Sequence, residues 1–260
     1  MFDPAERSGR GRRLQAEYTA SPEREAPTLV EQSWRDFIYA EIWSRPGLDL
    51  RARFLISLAG AAAVGHAHAI NAHARGALST DSLTQTELRE AALHVAVYSG
   101  WSAGSLMDAE ISHAADALGI PAAETAPIRA AAWNPQVRME QGAATFEKVM
   151  TFGGPKPGNG LPYLQDGILN FVFGEMWCRD GLDERARRFL TLVGVAESGA
   201  ETPIRSHFHA AMASRNCTAA ELHEFVLHYA IHAGWPKASV IQGVVLEMAK
   251  KVADGVPWNG

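Results

Sequence analysis

The sequence predicts an all-α fold built from two diverged copies of one helical domain. Two observations lead to this prediction: a long stretch of the chain repeats without gaps, and apolar residues recur with helical spacing in each copy. No segment of useful length shows the apolar–polar alternation of a strand. With 260 residues, 47% of them hydrophobic, the chain can supply two cores.

The repeat has a constant shift of 134 residues, the distance from position 37 to position 171. Phe37–Arg53 aligns with Phe171–Arg187, and the same shift brings His73 onto His207. Further along it pairs Glu90 with Glu224, His94 with His228, and Gly100-Trp101 with Gly234-Trp235. Such a period far exceeds the ~20–50 residues of a solenoid unit, so each copy is expected to be a domain.

Local signals place helices within each copy. Thr84 and Glu87 form a capping box before a helix predicted from Gln85 to about Val97, and Thr218 and Glu221 repeat that box. We expect an N-terminal arm over residues 1–29, a first domain over 30–125, a linker with a helix over 126–161, and a second domain over 162–260. The basic arm is expected to be frayed or to drape over a partner.

Composition excludes several classes of protein. The net charge is −5 and no Lys/Arg cluster follows the arm, which argues against nucleic-acid binding. The longest apolar run, Leu55–Val64, is far shorter than the ~20 residues of a membrane span. The two cysteines, Cys178 and Cys217, allow at most one disulfide, so we expect a cytoplasmic protein.

One helix face in each copy carries residues suited to proton chemistry. Glu90, His94, Tyr98 and Trp101 follow one another at spacings of four, four and three. The equivalent positions of the second copy hold Glu224, His228, His232 and Trp235. A carboxylate four residues before an imidazole is expected to bond it and raise its pKa toward the range of acid–base catalysis. The alternative is a weak surface pair.

His73 and His207 lie on the preceding helix and are the second candidates. They are either site residues or buried histidines that join two helices. His66 and His68 lie close by in the first copy, but they point in different directions on a helix and the second copy lacks them, so we expect no metal.

Arginines recur as well: Arg45, Arg51 and Arg53 of the first copy align with Arg179, Arg185 and Arg187 of the second. Arg51 and Arg185 are candidates for binding a substrate carboxylate, because a guanidinium matches a carboxylate in geometry. For the recurring Arg53 and Arg187 we expect ion pairs within each domain, with Glu41 and Glu175 respectively.

Residues 43–53, the helix of His73 and the stretch 84–101 closely resemble the carboxymuconolactone decarboxylase family. The resemblance covers about Val30–Leu118 and Pro162–Ala253. It implies two fused helical domains of the AhpD-like superfamily, with a homo-oligomer assembled as a trimer of pseudo-dimers. Peroxidase-like members of the superfamily use a Cys-x-x-Cys pair. This chain has Ser102 and Ser105, or Pro236 and Ser239, at those places, so a dithiol mechanism is not expected.

The resemblance implies a cofactor-free decarboxylase acting on a small carboxylated lactone or a related unsaturated acid. We expect His73 or His207 to act as acid or oxyanion partner, with Glu90–His94 or Glu224–His228 as a relay. Substrate contacts are expected from Tyr98, Trp101, His232, Trp235, Arg51 and Arg185. The alternatives are a cofactor-free isomerase or cyclase, a non-catalytic binding or assembly protein on the same fold, and an oxidative enzyme.

Overall fold

A computed structural model of the chain describes residues 3–158 and 160–260, and within these ranges the regular structure is entirely helical. The first copy contains α1 (Pro4–Tyr18), α2 (Leu29–Ser33), the π-helix π1 (Trp34–Trp43), α3 (Leu50–Ala63), α4 (Ala67–Ser79), α5 (Gln85–Ser99) and α6 (Trp101–Ala117). The second contains α7 (Pro135–Met150), the π-helix π2 (Tyr163–Phe173), a short 3-10 helix (Met176–Cys178), α8 (Glu184–Ser198), α9 (Glu201–Ala213), α10 (Ala219–Ala233) and α11 (Trp235–Ala253). The predicted all-α fold is confirmed.

Helix starts repeat between the copies because the same caps recur. Asp49 accepts a hydrogen bond from the backbone N–H of Ala52 at the start of α3, and Asp183 does the same for Ala186 in α8. Complete capping boxes open α5 and α10. The duplication therefore extends from sequence to individual helix ends.

The N-terminal segment differs from the expected frayed arm. Residues 4–18 form a helix that Asp3 caps, and α1 packs against π1 as α7 packs against π2. Gly11 faces the carbonyl of Arg35, and Gly142 faces that of Leu169, which is the equivalent residue of the second copy. Residues 1, 2 and 159, which fall in the predicted arm and linker, lie outside the described residues.

The two copies interlock instead of packing side by side. Helix α5 of the first copy packs against α8 of the second, α10 packs against α3, and α3 packs against α8. One continuous core results, to which Phe54 and Leu88 contribute from the first copy and Phe189 and Phe225 from the second. Each copy therefore completes the core of the other.

Two reciprocal ion pairs join the copies at the starts of α3 and α8. Arg51 reaches Asp183 at 2.9 Å, and its equivalent Arg185 reaches Asp49 at 2.9 Å. This symmetry is that of an isologous dimer contained in one chain. Within the described residues, no helix has both the length and the apolar character needed to cross a membrane.

We predict that Gly142→Ala destabilises the protein by about 1–3 kcal/mol, because a Cβ at that position would lie 1.8 Å from the Leu169 carbonyl oxygen and force α7 away from π2. Gly243→Ala is the control, since its Cβ meets nothing within 4 Å; it should stabilise α11 by about 0.5–1 kcal/mol. Urea unfolding measures both changes. Equal effects of the two substitutions would contradict the close approach.

Candidate functional site

The interlocked helices bring the predicted site residues into two buried groups, each drawn from both copies. The first composite cluster consists of Trp43, Arg53, Ser57 and His73 from the first copy with Glu224, His228 and His232 from the second. The second composite cluster consists of Trp177, Arg187, Thr191 and His207 from the second copy with Glu90, His94 and Tyr98 from the first. Neither copy alone holds a complete cluster.

A carboxylate clamped between two arginines lies at the base of the second composite cluster. Arg179 donates to both oxygens of Glu90, with 3.0 Å from Nε to Oε2 and 2.5 Å from Nη2 to Oε1. Arg187 donates to the same carboxylate at 3.3 Å. Arg179 also donates to the carbonyls of Ala126 and Pro127, so the segment between the copies covers this clamp.

The first composite cluster has the same clamp, built from Glu224, Arg45 and Arg53. Arg45 donates to Glu224 at 2.8 Å, and the Arg53 guanidinium lies 3.7 Å from that carboxylate. The hydrogen bond from Arg45 lowers the pKa of Glu224. Here Arg45 is half exposed, so this clamp is more open to solvent than that of Glu90.

The ion pairs expected within each domain, Arg53 with Glu41 and Arg187 with Glu175, are wrong. Glu41 pairs with Arg7, and Glu175 pairs with Arg138. The two buried arginines instead reach the carboxylates of the opposite copy, because α3 and α8 face α10 and α5.

The predicted Glu–His relay is also wrong. His94 Nε2 bonds the hydroxyl of Thr191 at 2.9 Å, and Glu90 is occupied by arginines. Burial, followed by the positive charge of Arg187, lowers the pKa of His94 well below its ordinary value. Sequence spacing placed the two side chains on one face correctly but could not show that arginines from the other copy would bind the carboxylate.

The neighbours of the equivalent His228 determine which of its two ring nitrogens carries the proton. Arg53 Nη1 lies 3.2 Å from His228 Nδ1, and a guanidinium can only donate, so Nδ1 is the acceptor. The ring proton is therefore on Nε2, which donates to Ser57 at 2.9 Å. Burial and then Arg53 lower the pKa of His228 well below its ordinary value.

His73 and His207 are buried against aromatic rings. The His73 ring stacks on Trp43 at 5.5 Å and meets the edge of His232 at 5.7 Å. The His207 ring meets Tyr98 edge-on at 5.8 Å. Burial lowers the pKa of each, His73 and His207, to about 3, so both rings are neutral near pH 7. Their Nδ1 atoms have no hydrogen-bond partner within the described part of the chain.

Tyr98 and His232 occupy equivalent places at the outer side of the clusters, where both are partly exposed. The indole N–H of Trp177 donates to the Tyr98 hydroxyl at 2.9 Å. Burial raises the pKa of Tyr98 and lowers that of His232 to about 4. The two clusters thus share a plan but differ in the outer side chain.

Four predicted substrate contacts lie outside the clusters. Trp101 and Trp235 are 59% and 55% exposed, and their rings lie beside Phe171 and Phe37 on the surface.

Arg51 and Arg185 are the other two. Arg51 is bound by Glu87 and Asp183, and Arg185 by Glu221 and Asp49, so their charges serve contacts within and between the copies. The prediction that these arginines bind a substrate carboxylate is therefore not supported by their placement.

Sequence reasoning missed two kinds of cluster residue: the hydroxyls of Ser57 and Thr191, and Arg188. Arg188 lies directly beside the second composite cluster, with its guanidinium 5.2 Å from the centre of the Trp177 ring. The first copy has Phe54 at this position, and that mismatch was the available signal. No group of three or more potential metal ligands occurs in residues 3–158 and 160–260.

Comparison with known proteins finds one family in both copies of the chain. The profile of the carboxymuconolactone decarboxylase family matches residues 29–105 and 162–245, one region in each copy. A 4-carboxymuconolactone decarboxylase of Acinetobacter baylyi is 35% identical over 87 residues, which are 34% of this chain and 64% of that protein. A nitrosuccinic acid decarboxylase of Metarhizium robertsii is 37% identical over 65 residues, 25% of this chain and 45% of that protein. The matches therefore span less than two thirds of either relative.

The neutral buried imidazoles predict a loss of stability in mild acid. The unfolded chain takes up protons near pH 6.5, whereas folded His73 and His207 resist protonation down to about pH 3. Their stabilising contribution is therefore complete above pH 6.5 and is lost as the pH falls below it.

We expect the free energy of unfolding to fall by about 1.4 kcal/mol per pH unit for each such imidazole between pH 6 and 5. Urea unfolding at these pH values measures the slope, and His207→Gln should reduce it by one imidazole's share. A free energy of unfolding that does not change across this range would contradict the neutral state.

Proposed function

Because this chain belongs to the carboxymuconolactone decarboxylase family, we propose that its composite clusters decarboxylate a small carboxylated lactone or a related unsaturated acid. The two matched relatives, one acting on 4-carboxymuconolactone and one on nitrosuccinic acid by their names, support the reaction class. The observation that carries the proposal is the placement of a neutral imidazole with an unpaired Nδ1 inside each buried, aromatic-walled cluster.

The substrate itself can accept the electrons of the breaking bond. The C–C bond to the carboxylate breaks, CO2 leaves, and the electron pair passes through the ring double bond to the lactone carbonyl, which becomes a dienolate oxygen. A proton then returns to carbon. The protein has to stabilise the negative oxygen and deliver the proton, and stabilising developing charge in a water-excluded site is usually the larger contribution.

We assign oxyanion stabilisation to His73 or His207. Each is a neutral ring, so it acts by donating an N–H hydrogen bond and not as an imidazolium acid. Neutrality has an advantage here, because an imidazolium would also stabilise the carboxylate of the substrate in its ground state. Only interactions that are stronger in the transition state accelerate the reaction.

The proton delivered to carbon has to come from the solvent side of the cluster. In the second composite cluster, Tyr98 is a partly exposed ring whose hydroxyl accepts from Trp177 and still carries an O–H proton that it can donate. We therefore assign proton relay to Tyr98 there, and to His232 in the first composite cluster. Glu90 and Glu224 are positioning residues, since they hold the buried arginines beside the imidazoles.

The test is CO2 release from 4-carboxymuconolactone by the intact chain. Loss of an oxyanion donor typically lowers kcat by about 100- to 1000-fold, so the double variant His73→Gln/His207→Gln should lose that much activity. His113→Gln removes an exposed histidine of α6 and should leave kcat unchanged. Wild-type turnover in the folded double variant would eliminate this role for the imidazoles.

A further inference from the structure

The two composite clusters differ in charge at one position. Arg188 lies beside the second, is fully buried, and corresponds to Phe54 beside the first. Its Nε donates to the side-chain oxygen of Asn216 at 3.1 Å, and its Nη2 donates to the carbonyl of Val149 at 2.6 Å. Its Nη1 is buried and has no hydrogen-bond partner within the described part of the chain.

Among the residues that the structure describes, no carboxylate bonds to the Arg188 guanidinium. Glu184 is nearby, but it accepts from Lys148 at 2.7 Å and from Asn216 at 3.1 Å, so it acts on Arg188 through space and through Asn216 without a direct hydrogen bond. A buried ion without a bonded counter-ion is costly, and a guanidinium with an unpaired N–H is suited to donate to a carboxylate. The Arg188 guanidinium is therefore suited to bind an anion.

The environment of Arg188 connects it to the reacting groups of the second composite cluster. Its guanidinium faces the Trp177 ring, which bonds Tyr98. After burial, the positive charge of Arg188 is the next cause that lowers the pKa of His207. An anion bound to this guanidinium would therefore lie beside Trp177, the ring that bonds the proposed proton relay Tyr98.

The first copy lacks this whole arrangement. Phe54 packs edge-on against Trp43 at 5.1 Å, and positions 82 and 50, equivalent to Asn216 and Glu184, hold Ser82 and Leu50. In the first composite cluster, the charge of the buried Arg53 guanidinium is compensated by the Glu224 carboxylate at 3.7 Å. The first composite cluster therefore has no comparable uncompensated cation.

We infer that Arg188 binds the carboxylate that the substrate retains, and that this makes the second composite cluster the one that turns over carboxylate substrates. The inference rests on the proposed function. The anchored group is the retained carboxylate, because an ion pair to the departing one would stabilise the ground state and oppose loss of CO2. The duplicated chain thus has one working site of mixed origin and one that has diverged from it.

Succinate is a suitable probe, since it carries carboxylates but no lactone and its binding is independent of turnover. Isothermal titration calorimetry with the intact chain should show one succinate per chain. Arg188→Gln keeps side-chain hydrogen bonding but removes the charge, and should weaken binding by about 10- to 100-fold, as expected for loss of a charge-assisted hydrogen bond. Arg188→Lys should retain most of the affinity. Arg205→Gln, which removes a partly exposed cation already paired with Glu247, is the matched control.

The inference would be overturned if the wild type did not bind succinate at millimolar concentration, or if Arg188→Gln bound it with wild-type affinity. It would also be overturned if Arg188→Gln and Arg188→Lys lost the same affinity and the same Tm as each other. The last result would show a purely structural arginine. In the CO2 assay, Arg188→Gln should raise KM more than it lowers kcat, and His207→Gln should lower kcat by about 100- to 1000-fold.

The two proposals fail separately. Succinate binding that depends on Arg188, without release of CO2, would retain the anion site and reject the decarboxylase. CO2 release with the same kcat and KM in Arg188→Gln as in the wild type would retain the decarboxylase and reject the anion site.

Discussion

The burial of a carboxylate from one copy between arginines of the other is the interaction on which the rest of this structure depends. Glu90 lies between Arg179 and Arg187, and Glu224 lies beside Arg53 in the pseudo-symmetric place. Removing one partner of a buried pair leaves an uncompensated charge, at a cost of about 3–5 kcal/mol. The two copies are therefore coupled, and neither composite cluster exists without the other copy.

This coupling determines the electrostatics of the clusters. The clamps hold Arg53 and Arg187 beside His228 and His94, and together with burial these cations keep the imidazoles neutral. Fusion of the copies also allowed the clusters to diverge, which identical subunits cannot do. The clearest difference is at the equivalent positions Phe54 and Arg188, because Arg188 places a buried charge beside one cluster alone.

Much of the fold could be predicted because its signals are local or repeated. Capping boxes placed the start of α5 correctly, and the constant shift between copies located its equivalent, α10. The site was predicted only in part. Helical spacing predicts that Glu90 and His94 share one face, but it does not indicate which residues of the other copy will bind them. The packing of α5 and α10 against the opposite copy therefore cannot be predicted from the sequence, and neither can the binding of Arg51 by Glu87 and Asp183.

A double-mutant cycle between Glu90 and Arg187 tests the exchange of partners most directly. Free energies of unfolding would be measured for Glu90→Gln, Arg187→Met and the double variant. The account predicts that the double variant loses less than the sum of the two single variants, by more than about 1 kcal/mol, because the residues are direct partners across the copies. Additivity within about 0.3–0.5 kcal/mol would contradict the clamp and, with it, the composite clusters.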